Sequence, residues 1–187
     1  MTNQCGEAED DSIAATKWWL QTAVIGLGLC PFASQEHLHN RIRYCVSRHE
    51  SAQGLLDDLS HELQFLRDAD ARLCETTLLI HPLTLTDFSD YNQFLDDADE
   101  LLRALGLEGI LQIASFHPQY RFAGSESDDI ENFTNRSPYP MLHLLRESSI
   151  TRAVANYPDI ANIATKNGKT LRQLGHRGWN DLWPKAL

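Results

Sequence analysis

The sequence lacks most of the patterns that announce a reaction. It has no GxGxxG, no GxxxxGK[ST] and no GxSxG, which removes the signatures of dinucleotide folds, P-loops and nucleophile elbows. It has no HExxH and no CxxC pair, so neither a two-histidine zinc helix nor a redox dithiol is written into it. Gly26 and Gly28 follow a predicted helix rather than a strand, which excludes them as a phosphate loop. The most apolar run, Trp18 to Phe32, is interrupted by Gln21 and two glycines and falls short of the ~20 residues of a membrane span. The first residues carry no basic-then-apolar signal segment. Positive charge is also scarce: 16 Lys and Arg stand against 26 Asp and Glu, for a net charge of −10. Such a surface repels phosphate backbones and anionic headgroups, so neither nucleic acid nor membrane is an expected partner.

What remains is an ordinary globular composition, 42% hydrophobic and 22% charged. No internal repeat or low-complexity linker divides the chain. At 187 residues a chain buries about 70% of its unfolded surface and needs no disulfide staples. The four cysteines, Cys5, Cys30, Cys45 and Cys74, follow no secreted framework, and reduced thiols are the expectation. The reading is a cytoplasmic protein with a flexible tail over 1–10 and a single α/β domain over 11–187.

Hydrophobic periodicity supplies the elements. Asp11 to Leu29 has helical spacing, capped by Ser12 and ended by Gly28 and Pro31. Arg41 to Ser47 alternates like a strand. Ser51 to Arg67 is a helix with a leucine face. Glu75 to Ile80 is a second strand, apolar at its end. Thr86 to Leu105 carries the cleanest helical stripe, stopped by Gly106, and Gly109 to Phe116 is a third strand. Tyr139 to Asn156 reads as a helix begun by Pro138 and Pro140. Asp159 to Leu174 reads as another, with Gly175 to Trp183 as a docked tail. Strands joined by helices of this length are usually parallel. The expected fold is therefore a small, mostly parallel sheet of three or four strands, with helices on both faces and a helical C-terminal third.

Residues able to carry chemistry gather after the strands. Strands two and three end alike, in Ile80-His81-Pro82 and Phe116-His117-Pro118. Ligands of parallel α/β sheets sit at such ends. If these strands were neighbours, about 4.8 Å apart, His81 and His117 would meet as an acid-base pair. Arg121, Asn135, Arg136 and Tyr139 follow the second histidine. His143, Arg146 and Glu147 would share one helix face at three- and four-residue spacing. Arginines beside the free N–H groups of a helix start at Tyr139 would hold a small anionic ligand. Cys30 is a candidate nucleophile, although the end of a helix disfavours its thiolate. His81, His117 and His143, with Glu147 or Cys30, are the residues from which a metal site could be drawn; His37-Leu38-His39 has no third ligand nearby. No cofactor is implied by any motif.

The Trp-Leu and Gly-Leu-Cys-Pro-Phe pieces within 19–32, His81-Pro82, the stretch Phe116-His117-Pro118-Gln119-Tyr120-Arg121-Phe122, Asn135-Arg136-Ser137-Pro138-Tyr139-Pro140, the His143 and Arg146-Glu147 positions and Asn167-Gly168 together resemble a family of small bacterial proteins classed as a domain of unknown function, number fourteen-fifteen. The resemblance runs from about Trp18 to Trp179 and implies one domain, without implying an activity. Three readings follow from the residues. The first is a small-molecule enzyme acting on an anionic metabolite, with His81, His117 and Cys30 catalytic and Arg121, Asn135, Arg136, Tyr139, His143 and Arg146 binding. The second is a non-catalytic ligand- or partner-binding protein. The third is a metal-dependent hydrolase.

Overall fold

A computed structural model describes residues 11–156 and 162–183. The tail expected over 1–10, Cys5 and the helix start expected at Asp159 lie outside them. The elements run α1 (Asp11–Trp19), a π-helical turn (Leu20–Ile25), α2 (Ala33–Leu38), β1 (Ile42–Val46), α3 (Ala52–Asp68), β2 (Thr76–Ile80), α4 (Phe88–Ala104), β3 (Leu111–Phe116), a 3-10 turn (Ile130–Thr134), β4 (Met141–Arg146), α5 (Glu147–Asn156) and α6 (Ile163–Asn180).

Among the described residues the strands form one sheet of order β1-β2-β4-β3. β1 and β2 are parallel, while β4 runs antiparallel to both β2 and β3. The sheet is therefore mixed, not mostly parallel. The cause is β4, which the sequence reads as part of a helix over Tyr139 to Asn156. A central strand covered on both faces needs apolar side chains on both, and such a run carries no period of two. Met141 packs in one layer and Leu142 and Leu144 in the other. Their spacing with Leu145, Ile150 and Val154 imitates a helical stripe. True helix begins only at Glu147. His143 and Arg146 thus sit on a strand, three residues apart and on opposite faces, and do not share a helix face with Glu147.

Two apolar layers sandwich the sheet. One joins Leu55, Leu59, Leu63 and Leu66 of α3 with Tyr91, Phe94, Ala98 and Leu102 of α4, against Leu79, Leu142 and Leu144. The other joins Trp19, Leu20, Ala23 and Val24 with Leu171 and Trp179 of α6, against Leu78, Ile80 and Met141. Consecutive residues of β2 alternate between the layers, as the pleat requires. α3 is capped by Ser51, whose side chain accepts from the Gly54 N–H, and α4 by Asp87, which accepts from Ser89 and Asp90. α6 continues past the expected stop at Leu174 to Asn180 and bends at Gly175, whose φ of 65° is the left-handed region. Trp179, within the stretch expected to be a docked tail, is buried on this helix. Cys30 and Cys74 are free thiols, whereas Cys45 is disulfide-bonded, so the expectation of reduced thiols fails at Cys45. No helix among the described residues is long and apolar enough to cross a membrane.

Candidate functional site

β1, β2 and β3 point the same way, so their C-terminal ends share one edge of the sheet. Ile80 and Phe116 pack into the α1/α6 layer, so the pleat returns the following residues, His81 and His117, to the α3/α4 side. Both imidazoles are 0% exposed. They do not touch, because β4 separates their strands and sets them two strand spacings apart, about 9.6 Å. The fully buried Tyr91 of α4 fills that gap. Its ring centroid lies 5.7 Å from His81, nearly parallel, and 5.0 Å from His117. Phe88 then covers His117 at 5.4 Å. The Tyr91 hydroxyl donates to the Met141 carbonyl at 2.9 Å and accepts the Phe116 N–H at 3.1 Å, tying β3 to β4 where the ladder opens.

The two histidines differ in what their ring nitrogens meet. The His117 Nδ1 accepts the Gln119 N–H at 3.0 Å, and its Nε2 faces the Leu85 carbonyl at 3.2 Å. Both nitrogens are matched by backbone, which fixes Nε2–H as the protonated tautomer. The His81 Nδ1 faces the Thr84 carbonyl at 2.9 Å and must carry the proton. Its Nε2 is then an acceptor, and it is buried with no hydrogen-bond partner in the protein. Burial, only partly opposed by the Thr84 hydrogen bond, pushes His81 down to about 4. Loss of hydration also lowers His117, against the hydrogen bond to Leu85 and the charge of Asp87. At neutral pH both rings are uncharged, and His81 presents an open lone pair.

The segment after His81 closes over this edge. The Thr84 hydroxyl donates to the His49 carbonyl, joining the loops that follow β1 and β2. Leu85 has a φ of 56°, a left-handed conformation costing a leucine about 1–2 kcal/mol. It is held there with its carbonyl under His117 and its side chain against the α3/α4 layer.

The other candidates disperse. Arg136 stacks its guanidinium 4.1 Å over Phe133 and donates to the carbonyls of Tyr120 and Ser127, at 3.3 and 2.5 Å. Asn135 donates to the Ser115 carbonyl at 3.1 Å, while its own carbonyl accepts from His117. These two residues order the excursion between β3 and β4. Tyr139 lies in the loop before β4 and packs in the α1/α6 layer, so no helix N-terminus forms there. Arg146 donates to the carbonyls of Ala69 and Cys74, at 2.8 and 3.1 Å. It sits at the far end of β4, about 17 Å from the histidine edge at ~3.4 Å per residue. Glu147 lines a depression of about 350 Å³ at that far end with Gly109 and Leu111. His143 faces Phe116 at 6.1 Å and meets the Thr76 hydroxyl at 2.7 Å through Nε2. That hydroxyl already donates to the Leu144 carbonyl at 2.6 Å, so His143 is the donor; burial holds it near 4. Cys30 packs with the α1/α6 layer, across the sheet from Tyr91 and the histidine pair. Arg121 is exposed and makes no hydrogen bond or ion pair with a described residue. Among the described residues, no three His, Cys, Asp or Glu side chains converge as metal ligands.

Two participants escaped the sequence reading. Tyr91 was visible only as a member of an apolar stripe, where its hydroxyl was the available signal. Ser47, 0% exposed with its hydroxyl unpartnered, was the polar end of an alternating strand.

No curated protein and no solved structure matches the chain. The family described as "Protein of unknown function (DUF1415)" matches residues 11–181, nearly the whole chain. The chain therefore belongs to the DUF1415 family.

Proposed function

We propose that the protein is a small-molecule enzyme working by proton transfer, with His81 as the acid-base residue at the strand C-terminal edge. One observation carries the reading: a fully buried, neutral imidazole with its tautomer fixed by Thr84 and its Nε2 lone pair unmatched. An unmatched buried acceptor costs roughly 1–3 kcal/mol. A catalytic base needs this arrangement, one nitrogen oriented by a carbonyl and the other presented to the reacting proton. Arg121, in the loop after His117 and without a described partner, is the cation from which an anionic substrate would gain most. Cys30 takes no part. Among the described residues, no donor geometry supports a metal-dependent mechanism.

The test uses an isosteric pair of substitutions. His81→Asn keeps an N–H near the Nδ1 position to donate to Thr84 and deletes Nε2. His81→Gln does the reverse. Carboxylate- and phosphate-bearing small molecules are screened for hydrolysis and elimination. Turnover in the wild type that vanishes in H81N, with Tm held within a few degrees, is the expected result; turnover that survives H81N removes His81 from the chemistry. The second reading, a non-catalytic binder of the same anions, draws on His117, whose nitrogens are both engaged by backbone. Saturable binding weakened by Arg121→Ala, without turnover, would establish it instead.

A further inference from the structure

Ser47 follows the last residue of β1 as His81 follows the last residue of β2. Val46 pairs with Ile80, and the Ser47 N–H donates to the Ile80 carbonyl at 2.8 Å. Carried one residue further, this parallel register sets Ser47 beside His81, with Cα atoms about 4.8 Å apart. Their side chains leave the same face. Cys45 packs in the α3/α4 layer and Val46 in the α1/α6 layer, so Ser47 turns back toward α3/α4, where His81 stacks on Tyr91. Both residues are 0% exposed, and both the Ser47 Oγ and the His81 Nε2 lack a hydrogen-bond partner in the protein. The two do not bond each other. Two orphaned polar atoms at adjacent positions of one buried face are uncommon, since buried polar groups are nearly always matched.

We propose that Ser47 and His81 form a two-point clamp for a single hydroxyl group, that of a water or of an alcohol-bearing substrate. The inference rests on the reading of His81 as the acid-base residue and specifies what it acts on. The donor count selects the ligand. The Nε2 of a neutral imidazole can only accept, and the serine hydroxyl can donate to a second oxygen. A hydroxyl satisfies both at once, giving its proton to Nε2 and accepting from Ser47. A carboxylate oxygen presents a lone pair to the Nε2 lone pair and is refused; an ammonium could donate to both atoms, but it would bring a charge into a buried face and leave the Ser47 proton unmatched. In the reaction the O–H bond breaks, its proton passes to Nε2, and its electron pair remains on oxygen. The resulting alkoxide or hydroxide character is stabilised by the Ser47 O–H, and the imidazolium by Tyr91 and the Thr84 carbonyl. The anionic part of a substrate would then lie outward, toward Arg121.

High-resolution crystals of the wild type and of Ser47→Ala test the clamp directly. An ordered oxygen within hydrogen-bond distance of both Ser47 Oγ and His81 Nε2, lost or displaced in S47A, is expected. A Ser47 hydroxyl found donating to a protein carbonyl, or an oxygen on Nε2 that stays in place in S47A, overturns the proposal. Kinetics supply a second measure. S47A should lower kcat about 100-fold, the scale of a lost donor to a developing oxyanion, with little change in KM; an unchanged kcat overturns the clamp. A substrate stripped of its hydroxyl separates the sources. It should lose about 10⁴-fold in kcat/KM if the clamp holds that hydroxyl, and should still be hydrolysed if the clamp holds water. An ordered oxygen on both atoms in a protein without turnover would remove the enzyme reading and leave the clamp standing as a binding feature.

Discussion

At the scale of single residues, four of the polar groups expected to act on a ligand, His117, Asn135, Arg136 and Arg146, act on backbone instead. Arg136, Asn135 and Arg146 were legible as polar residues after strands, but the sequence could not show that nearby carbonyls already occupied them. A long loop leaves buried C=O groups that must be matched, and an arginine or asparagine within reach matches them at no entropic cost of recruiting a ligand. His81 is matched at Nδ1 alone, and its unmatched Nε2 is what distinguishes it from His117. Tyr91 shows how much one such match is worth. Tyr91→Phe keeps the ring between the histidines but deprives both the Phe116 N–H and the Met141 carbonyl of a partner. We expect a loss of about 1–3 kcal/mol, seen in urea denaturation, with the β3–β4 amides near Phe116 exchanging faster. A Tyr91→Phe protein as stable as wild type would show that water replaces the hydroxyl there.

At the scale of elements, the sequence was clear where one face of an element is wet and unclear where none is. α3 and α4 each bury a single stripe, so their period stood out, and β1 still alternates near an edge. β4 has both faces covered, and its Met-Leu-His-Leu-Leu run carries no period to read. That one misreading turned a mixed sheet into a parallel one. It also brought His81 and His117 together as neighbours and placed His143 and Arg146 on a helix they do not occupy. The two His-Pro strand ends were nonetheless found on a common edge, because direction along that edge depends on β1, β2 and β3 alone. The helix caps were written plainly. Asp87→Ala removes the side chain that accepts from Ser89 and Asp90 at the start of α4, and should cost about 1 kcal/mol. Asp87→Asn, which caps as well, should cost little. Since α4 positions Tyr91 and Phe88, a fall in stability shared by both variants would mean that the charge of Asp87 at the helix N-terminus, rather than its cap hydrogen bonds, is what holds this end.

At the scale of the whole molecule, the buried histidines make folding respond to acid in a defined window. His81 and His143 each fall from an ordinary 6.5 to about 4 because burial penalises the imidazolium. Below pH 6.5 the unfolded chain takes up protons that the folded chain refuses. Stability is therefore fully present above 6.5, declines as pH falls through the window down to about 4, and levels off for these groups below it. At 1.36 kcal/mol per pKa unit, each ring accounts for up to about 3 kcal/mol. The exposed Asp70, held at about 2 by its hydrogen bonds from Arg72, loses its contribution only below its ordinary 3.8, so the two effects fall in separate ranges. Equilibrium unfolding in urea at intervals from pH 7.5 to 4 should show the decline. His143→Gln keeps an N–H near the Nε2 position for Thr76 but cannot titrate, and should remove a clear share of the decline, the rest falling to His81 and His117, while leaving stability near pH 7 little changed. His81→Asn should remove a similar share. Because the two rings lie on opposite faces of the sheet, in separate apolar layers, their contributions should add in the double variant. A decline that persists undiminished in the double variant would place the acid response in the carboxylates, and would mean that neither imidazole is held neutral by the fold.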